Sequence, residues 1–335
     1  MPVFTLTAGM AGVQMADLTP EEIWTTFLPN AAKQALRLRL ANTRFAHYTS
    51  AQSGMKILGS GKMLLRNSTM MNDFSEVQHG MNCLTRCYGG PVGERLKAVM
   101  NAVQDGLPEI LESNFDAQLL DVRSETYLIS ISEHGDPEHG DALEDSFGRL
   151  SMWRAYAAKN GIAFIFNNPP FLTESNALNA FTSPVVYATP ETFVPYFEEL
   201  VAGVERIAGF LVTQGGKYLH DNLMNTLRFM IQSTKHPSFR EEREWRIIYT
   251  PTLLQREGAL TEAQMMKVPT EIITLGGVPQ RVYAIPFKDH PEEGFVGAEI
   301  PALLDRVLGL RLNQSQNASA VAMATPERKL TASLS

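Results

Sequence analysis

Residues 236–250 read HPSFREEREWRIIYT, and this stretch sets the architecture. Five of the seven residues from Phe239 to Trp245 are charged, and the run turns at once into a β-branched and aromatic segment. Such residues suit a pleated, half-buried surface, so the segment EWRIIYT, Glu244 to Thr250, is expected as a strand. At the strand period of two, Glu242, Glu244 and Arg246 point to one face, while Arg243 and Trp245 point to the other. Like charges on one face repel and raise one pKa unless a cation or ligand offsets them. Arg240 and Arg246 are able to do this in a surface ion network; the alternative is a site for chemistry at the mouth of the strand.

Working outward, the segments FAHYTS (45–50), MLLR (63–66), TYLISIS (126–132), IAFIF (162–166) and SPVVYA (183–188) read as further strands, and EIITL and RVYAIPF as candidates. Helices are expected from Thr19 as N-cap through about Ala41, from Ser53 to the glycines at 59 and 61, over 92–120, from Phe147 to a C-terminal cap at Gly161, over 190–233 and from about Ile300 to Leu310. Strands and helices alternate without a regular βαβ rhythm, which points to an α+β fold. The expected organisation is a flexible stretch over 1–16, a single domain over 17–312 with helical segments at 92–120 and 190–233, and a frayed tail over 313–335.

The chain has 335 residues, 44% of them apolar and 19% charged, and a net charge of −7, which suits a globular protein and gives no general attraction for phosphate backbones. Basic density is confined to RLRL (37–40) and REEREWR (240–246), and the second is diluted by its own acids. The two cysteines, Cys83 and Cys87, stand four apart on one helical face, which reads as two reduced thiols rather than a disulfide or metal framework. No basic leader with a continuous apolar run opens the sequence, and no stretch has the roughly 18 apolar residues a membrane span needs, so a cytoplasmic protein is expected.

Several polar groups fall at expected strand ends or turns, where a scaffold presents functional side chains. His47 with Tyr48 and Thr49 lies toward the end of the first strand; His47 is either a satisfied core histidine or a donor to a ligand hydroxyl. Asn72 and Asp73 either cap a helix that carries Glu76 in its first turn or take part in a site. Ser130, Ser132 and Glu133 end another strand. Trp153 and Tyr156 share a helical face, as core or as a stacking surface for a nucleobase or nicotinamide ring, with Arg154 placed to reach a phosphate. Residues 133–145, EHGDPEHGDALED, hold six carboxylates and two histidines without defined ligand spacing. Dinucleotide-fold, P-loop, zincin and nucleophile-elbow motifs are absent from the sequence.

In order, FAHYTS with SGMKIL and SGKM, then MNDFSE, YLISISE, MWRAYA with GIAFIF, and EEREWRIIY resemble a bacterial family catalogued as a domain of unknown function. The pattern is His-Tyr-Thr, Asn-Asp-x-x-Glu, Ser-x-Ser-Glu, Met-Trp-x-x-Tyr-Ala and Glu-x-Glu-Trp-Arg, over roughly residues 45–250. A more distant resemblance is to the ADP-ribosyltransferase superfamily. It implies a split, mostly antiparallel sheet with flanking helices, NAD as a substrate, and transfer of ADP-ribose to a macromolecular acceptor, as in toxins or phage-defence effectors with an antitoxin or regulatory partner. It further implies that His47 bonds a ribose hydroxyl, that Glu244 is the catalytic glutamate and that Glu242 orients or deprotonates the acceptor. Tyr48, Tyr127 and Tyr156 compete for the nicotinamide-stacking place; Ser132 fits the middle serine of an Arg-Ser-Glu pattern, with Arg44 near the first strand. NAD contacts are thus expected from His47, Tyr48, Thr49, Asn72, Asp73, Ser132, Trp153, Arg154 and Tyr156. The alternatives are a metal-dependent nuclease or hydrolase using Asp73, Glu76, Glu242 and Glu244, and a non-catalytic nucleotide sensor signalling through 190–233.

Overall fold

The computed structural model describes residues 18–70, 75–135, 142–157, 160–166, 181–251, 270–275, 277–286, 321–324 and 329–331. Among them are twelve strands: β1 Arg44–Ser50, β2 Lys62–Asn67, β3 Tyr127–His134, β4 Gly161–Phe166, β5 Phe181–Pro184, β6 Val186–Tyr187, β7 Thr234–Lys235, β8 Glu244–Tyr249, β9 Thr270–Leu275, β10 Val278–Pro286, β11 Val321–Ala324 and β12 Lys329–Thr331. The helices are α1 Pro20–Phe27, α2 Pro29–Ala41, α3 Ala51–Ser60, α4 Ser75–Tyr88, α5 Pro91–Val103, α6 Leu107–Ser124, α7 Ala142–Phe147, α8 Leu150–Tyr156, α9 Val194–Arg206, α10 Ala208–Gln214 and α11 Gly216–Gln232. The α+β class is as expected.

Ten strands form one antiparallel sheet, which forks at β3. Along one edge β3 pairs with β8 from Tyr127↔Tyr249 to Ser132↔Glu244. The opposite edge is shared: β1 takes Ser132 to His134, and β2 takes Tyr127 and Leu128. From β1 one arm continues to β4, β11 and β12; from β2 the other continues to β10 and β9. β5 extends the sheet beyond β8. β6 and β7 make a separate parallel pair.

One face of the sheet buries Phe45, Met63, Leu65, Ile129, Ile131, Phe164, Trp245 and Ile247 against Ala35 and Leu38 of α2 and Leu58 of α3. The other face is covered in two patches. α8 lays Met152 on Ala46, Tyr48, Ala163 and Ile165. α11 lays Phe229 on Leu128 and Ile248. A second, helical core joins α1, α4, α5, α6, α9, α10 and α11, and in it Cys83 and Cys87 are buried free thiols.

Several boundaries differ from the sequence expectation, each for a local reason. The first helix starts with a capping box between Thr19 and Glu22 but ends at Phe27, because Pro29 has no N–H and forces a restart as α2. The helix expected to close at Gly161 ends instead at Ala157. Gly161 opens β4, where an added Cβ would lie 2.1 Å from the Ala157 Cβ; close packing, not a helix cap, demands this glycine. The region 190–233 holds α9, α10 and α11, with Gly215 at φ +86° before the last. Within the segment expected as a tail, Val321–Ala324 pairs with β4. The helix expected near 300–310 lies outside the described residues. No described helix is long and apolar enough to cross a membrane.

Candidate functional site

Leu128, Ser130, Ser132 and their β8 partners Ile248, Arg246 and Glu244 share one face of the sheet. At its α11 end that face is apolar and covered. Between the α8 and α11 patches it is polar, and a cluster of charges fills the gap.

Glu244, 5% exposed, lies at its centre with Lys235 and Arg246, each 4% exposed. One carboxylate oxygen accepts from the Ser130 hydroxyl and from Arg246 Nε at 2.7 Å; the other accepts from Lys235 Nζ at 3.0 Å and Arg246 Nη2 at 3.3 Å. Those bonds use the lone pairs a carboxylate offers. Its backbone N–H donates to the Tyr187 hydroxyl at 2.8 Å. Burial pushes the Glu244 pKa up, but the Arg246 and Lys235 charges and the Arg246 and Ser130 hydrogen bonds outweigh it and bring the group down to about 2. The same neighbours act on the tyrosine: burial first, then the Glu244 charge, raises the Tyr187 phenol.

Lys235 is placed by β7, whose carbonyl accepts the Ala188 N–H at 3.0 Å. Its ammonium stands among three carboxylates: Glu242 at 2.7 Å, Glu76 at 2.8 Å and Glu244 at 3.0 Å. Arg246 completes the set, bonding Glu76 and, through Nη1 at 2.6 Å, the Gln232 carbonyl at the end of α11. That carbonyl is one of the orphan acceptors of a helix C-terminus, where a cation is favoured. Three carboxylates against two cations leave the cluster one charge negative. For Lys235, burial would lower the pKa, yet the Glu244 and Glu76 charges and the Glu242 bond raise it, so it remains an ammonium ion.

Glu242 lies at the rim. It does not reach the cluster by strand alternation, as the sequence suggested. Residues Pro237–Glu242 form a 3-10 turn, and Arg243 at φ 42° turns the chain into β8. Glu242 accepts from the Tyr156 hydroxyl at 2.8 Å and from Lys235, which leaves acceptor capacity open among the described residues. Tyr156 and Phe239 are both 37% exposed beside it, and the Phe239 ring lies 4.8 Å from Lys235 Nζ. Burial and then the Glu242 charge raise the Tyr156 phenol. Arg240, expected to offset the carboxylates, is exposed on the turn; Lys235 and Arg246 do so instead, in a buried network.

Arg149 holds this rim in place. Its guanidinium donates to the Ser132 hydroxyl at 2.8 Å, to the carbonyls of Glu133, Glu241 and Glu242 at 2.8, 2.7 and 3.1 Å, and to Glu144 at 2.6 Å. Ser132 in turn donates to the Glu242 carbonyl. Ser132 therefore fixes the turn, and Ser130, not Ser132, touches the Glu244 carboxylate. Glu133 belongs to the opposite face, where it accepts from Arg37 and, at 2.9 Å, from Trp245 Nε1.

His47 alternates with Ala46 and Tyr48 and so shares the face of Phe45, opposite Glu244. Its ring sits at the fork, where Nδ1 meets the Ser130 carbonyl at 3.0 Å; a carbonyl only accepts, so Nδ1 carries the proton. Burial lowers the His47 pKa and the Ser130 bond works against this, which leaves a neutral ring as the favoured form. His47 and Glu244 thus meet through the two ends of Ser130 rather than across one open cleft. Tyr48 is packed edge-on to Trp153 at 5.0 Å, and its hydroxyl accepts the Arg149 N–H at 2.9 Å. Trp153 donates to the Phe147 carbonyl at 2.8 Å. Tyr48 and Trp153 are therefore packing residues, Thr49 is half-buried on β1, and Arg154 is exposed. Asn72 and Asp73 lie outside the described residues, as does His139 of the acidic loop.

Sequence reading missed Lys235, Tyr187 and Arg149. The available signal was weak: Lys235 is an isolated lysine in STKHPS, between a helix and a proline. Glu76, assigned to the metal-dependent alternative, does join Glu242 and Glu244, but around an ammonium group. Among the described residues no group of three or more His, Cys, Asp or Glu side chains is arranged to hold a metal ion.

Residues 152–247 match the model of a family described as "Protein of unknown function (DUF2971)". The matched segment contains Tyr156, Lys235, Glu242, Glu244 and Arg246. No curated protein and no solved structure matches the chain.

Proposed function

We propose that the protein is an NAD-dependent ADP-ribosyltransferase acting on a macromolecular acceptor, with an ADP-ribosyltransferase-like forked sheet. The supporting observation is the Glu-x-Glu pair at the mouth of a strand beside the fork: Glu244 locked as an anion, Glu242 half open next to Tyr156. In this reading, positive charge develops on the ribose as the bond from its C1′ to the nicotinamide nitrogen breaks, and nicotinamide leaves with the bonding electrons. Preorganised negative charge stabilises that state without reorganisation cost. The acceptor heteroatom then bonds C1′ and passes its proton to Glu242, the carboxylate with free lone pairs. Glu244 is saturated, so it acts as the charged anchor that sets the field and holds Lys235. His47 positions Ser130 and through it Glu244. A toxin or defence role would follow from the acceptor.

The saturation of Glu244 also favours a second reading, a nucleotide-sensing domain without turnover. Label transfer from NAD carrying isotope in the adenosine half separates the two. The transferase reading expects label in acid-insoluble acceptor with the wild type and loss of it in Glu244→Ala and Glu242→Gln. Transfer unchanged in both variants sinks the carboxylate mechanism, and binding of NAD without transfer supports the sensor.

A further inference from the structure

Between Glu22 and Asp73 the sequence has no acidic residue, yet seven lysines and arginines fall there, from Lys33 to Arg66, in a chain whose net charge is −7. The basic segment spans α2, β1, α3 and β2, and its two helices cover the same face of the sheet, through Ala35 and Leu38 of α2 and Leu58 of α3. Two of its cations are engaged within the fold, Arg37 by Glu133 and Arg44 by Asp145. Lys33 and Arg39 on α2 and Lys56 on α3 are exposed. So are three large apolar side chains beside them in the sequence, Leu36 at 57%, Leu40 at 80% and Met55 at 53%. Lys33, Leu36, Arg37 and Leu40 follow the spacing of a single helix stripe, so cations and leucines share the outer side of α2.

We propose that the outer side of α2 and α3 docks on an anionic lipid bilayer, with Lys33, Arg39 and Lys56 at the headgroups and Leu36, Leu40 and Met55 entering the interface beneath them. Composition selects this occupant. Protein interfaces are depleted in lysine and anchored by aromatic residues, and neither helix has an aromatic residue. A nucleic acid rewards the cations but sets its phosphates against bare leucines. A second copy docked through the same face opposes like charges. An anionic bilayer takes both kinds of side chain: basic groups meet the negative surface, and aliphatic groups enter the acyl boundary. The lysine stems lie along the apolar layer while their ammonium ends reach the headgroups. Glu244 and its cluster lie on the opposite face of the sheet, so docking leaves them clear of the lipid. The assignment is independent of the reading of that cluster.

The test is co-sedimentation of the full chain with vesicles of phosphatidylglycerol and phosphatidylcholine in equal parts, and with vesicles of phosphatidylcholine alone. Expected is binding to the mixed vesicles only, weakening as salt is added. The double variant Lys33→Glu, Lys56→Glu should weaken binding about tenfold or more, since each basic group near an anionic surface contributes to it. Leu36→Ser with Leu40→Ser keeps the charge and should also weaken it about tenfold, which separates insertion from simple charge attraction. Lys217→Glu, on α11, should change nothing. Binding to neither vesicle, equal binding to both, or wild-type affinity in either double variant would overturn the proposal. So would binding of a DNA duplex or of polyglutamate, in place of the vesicles, that the Lys33→Glu, Lys56→Glu variant loses.

Discussion

Lys235 decides the charge balance at the residue scale. Removing it leaves Glu76, Glu242 and Glu244 facing each other with Arg246 as the remaining cation of the cluster. Breaking a buried pair in this way costs about 3–5 kcal/mol, so Lys235→Met should lower unfolding free energy by that amount in urea titrations at pH 7. The pH dependence follows from the same contacts. Glu244 is depressed from its ordinary 4.5 to about 2, so its ionised form stabilises the fold above pH 4.5 and that contribution is lost as pH falls toward 2. The loss is on the order of 3 kcal/mol, and in Lys235→Met, where the native carboxyl is depressed less, it should be smaller. His47 is also depressed from 6.5, so a further loss should start as pH falls below that value and disappear in His47→Gln. Burial and charge pairing were not legible at these residues. The sequence showed that Glu244 and Arg246 share a face; that the face is internal depends on α8 and α11, which come from distant parts of the chain.

At the scale of elements, the turn before β8 carries the site, and its conformation does not follow from strand periodicity. A proline at 237 starts a 3-10 turn, Arg243 adopts a left-handed conformation, and Arg149 ties the turn's carbonyls to the end of β3. The Glu133 N–H donates to the Arg243 carbonyl at 2.9 Å across this junction. Arg149→Met should therefore speed hydrogen exchange of the Glu133 amide at least tenfold while exchange in the α9 helix is unchanged; equal protection would show that the turn holds itself. The strands that flank the turn were legible because they are continuous β-branched and aromatic runs. The helices near Pro29 and Gly161 were misplaced because one proline outweighed a long apolar pattern and one glycine served packing rather than capping.

For the whole molecule, the fork at β3 is the feature that brings distant residues together. Where β1 and β2 part, the His47 side chain takes the Ser130 carbonyl in place of a ladder partner. His47→Phe should leave that carbonyl unpaired and cost about 1–3 kcal/mol in unfolding free energy. The α+β class was readable from the mixed order of elements, whereas the fork was not, since it depends on which edge of β3 each strand chooses. The functional account rests on the same fork, because it sets Glu244 as a fixed anion and leaves Glu242 at the rim. The most direct measurement is the rate of nicotinamide release from NAD by wild type, Glu242→Gln and Glu244→Gln in the presence of cell-extract acceptor. The account predicts release by the wild type and a fall of about 100-fold or more in Glu242→Gln, whose Tm stays near wild type, with Glu244→Gln losing both activity and stability. Absence of release by the folded wild type, or a Glu242→Gln rate equal to it, would contradict the account.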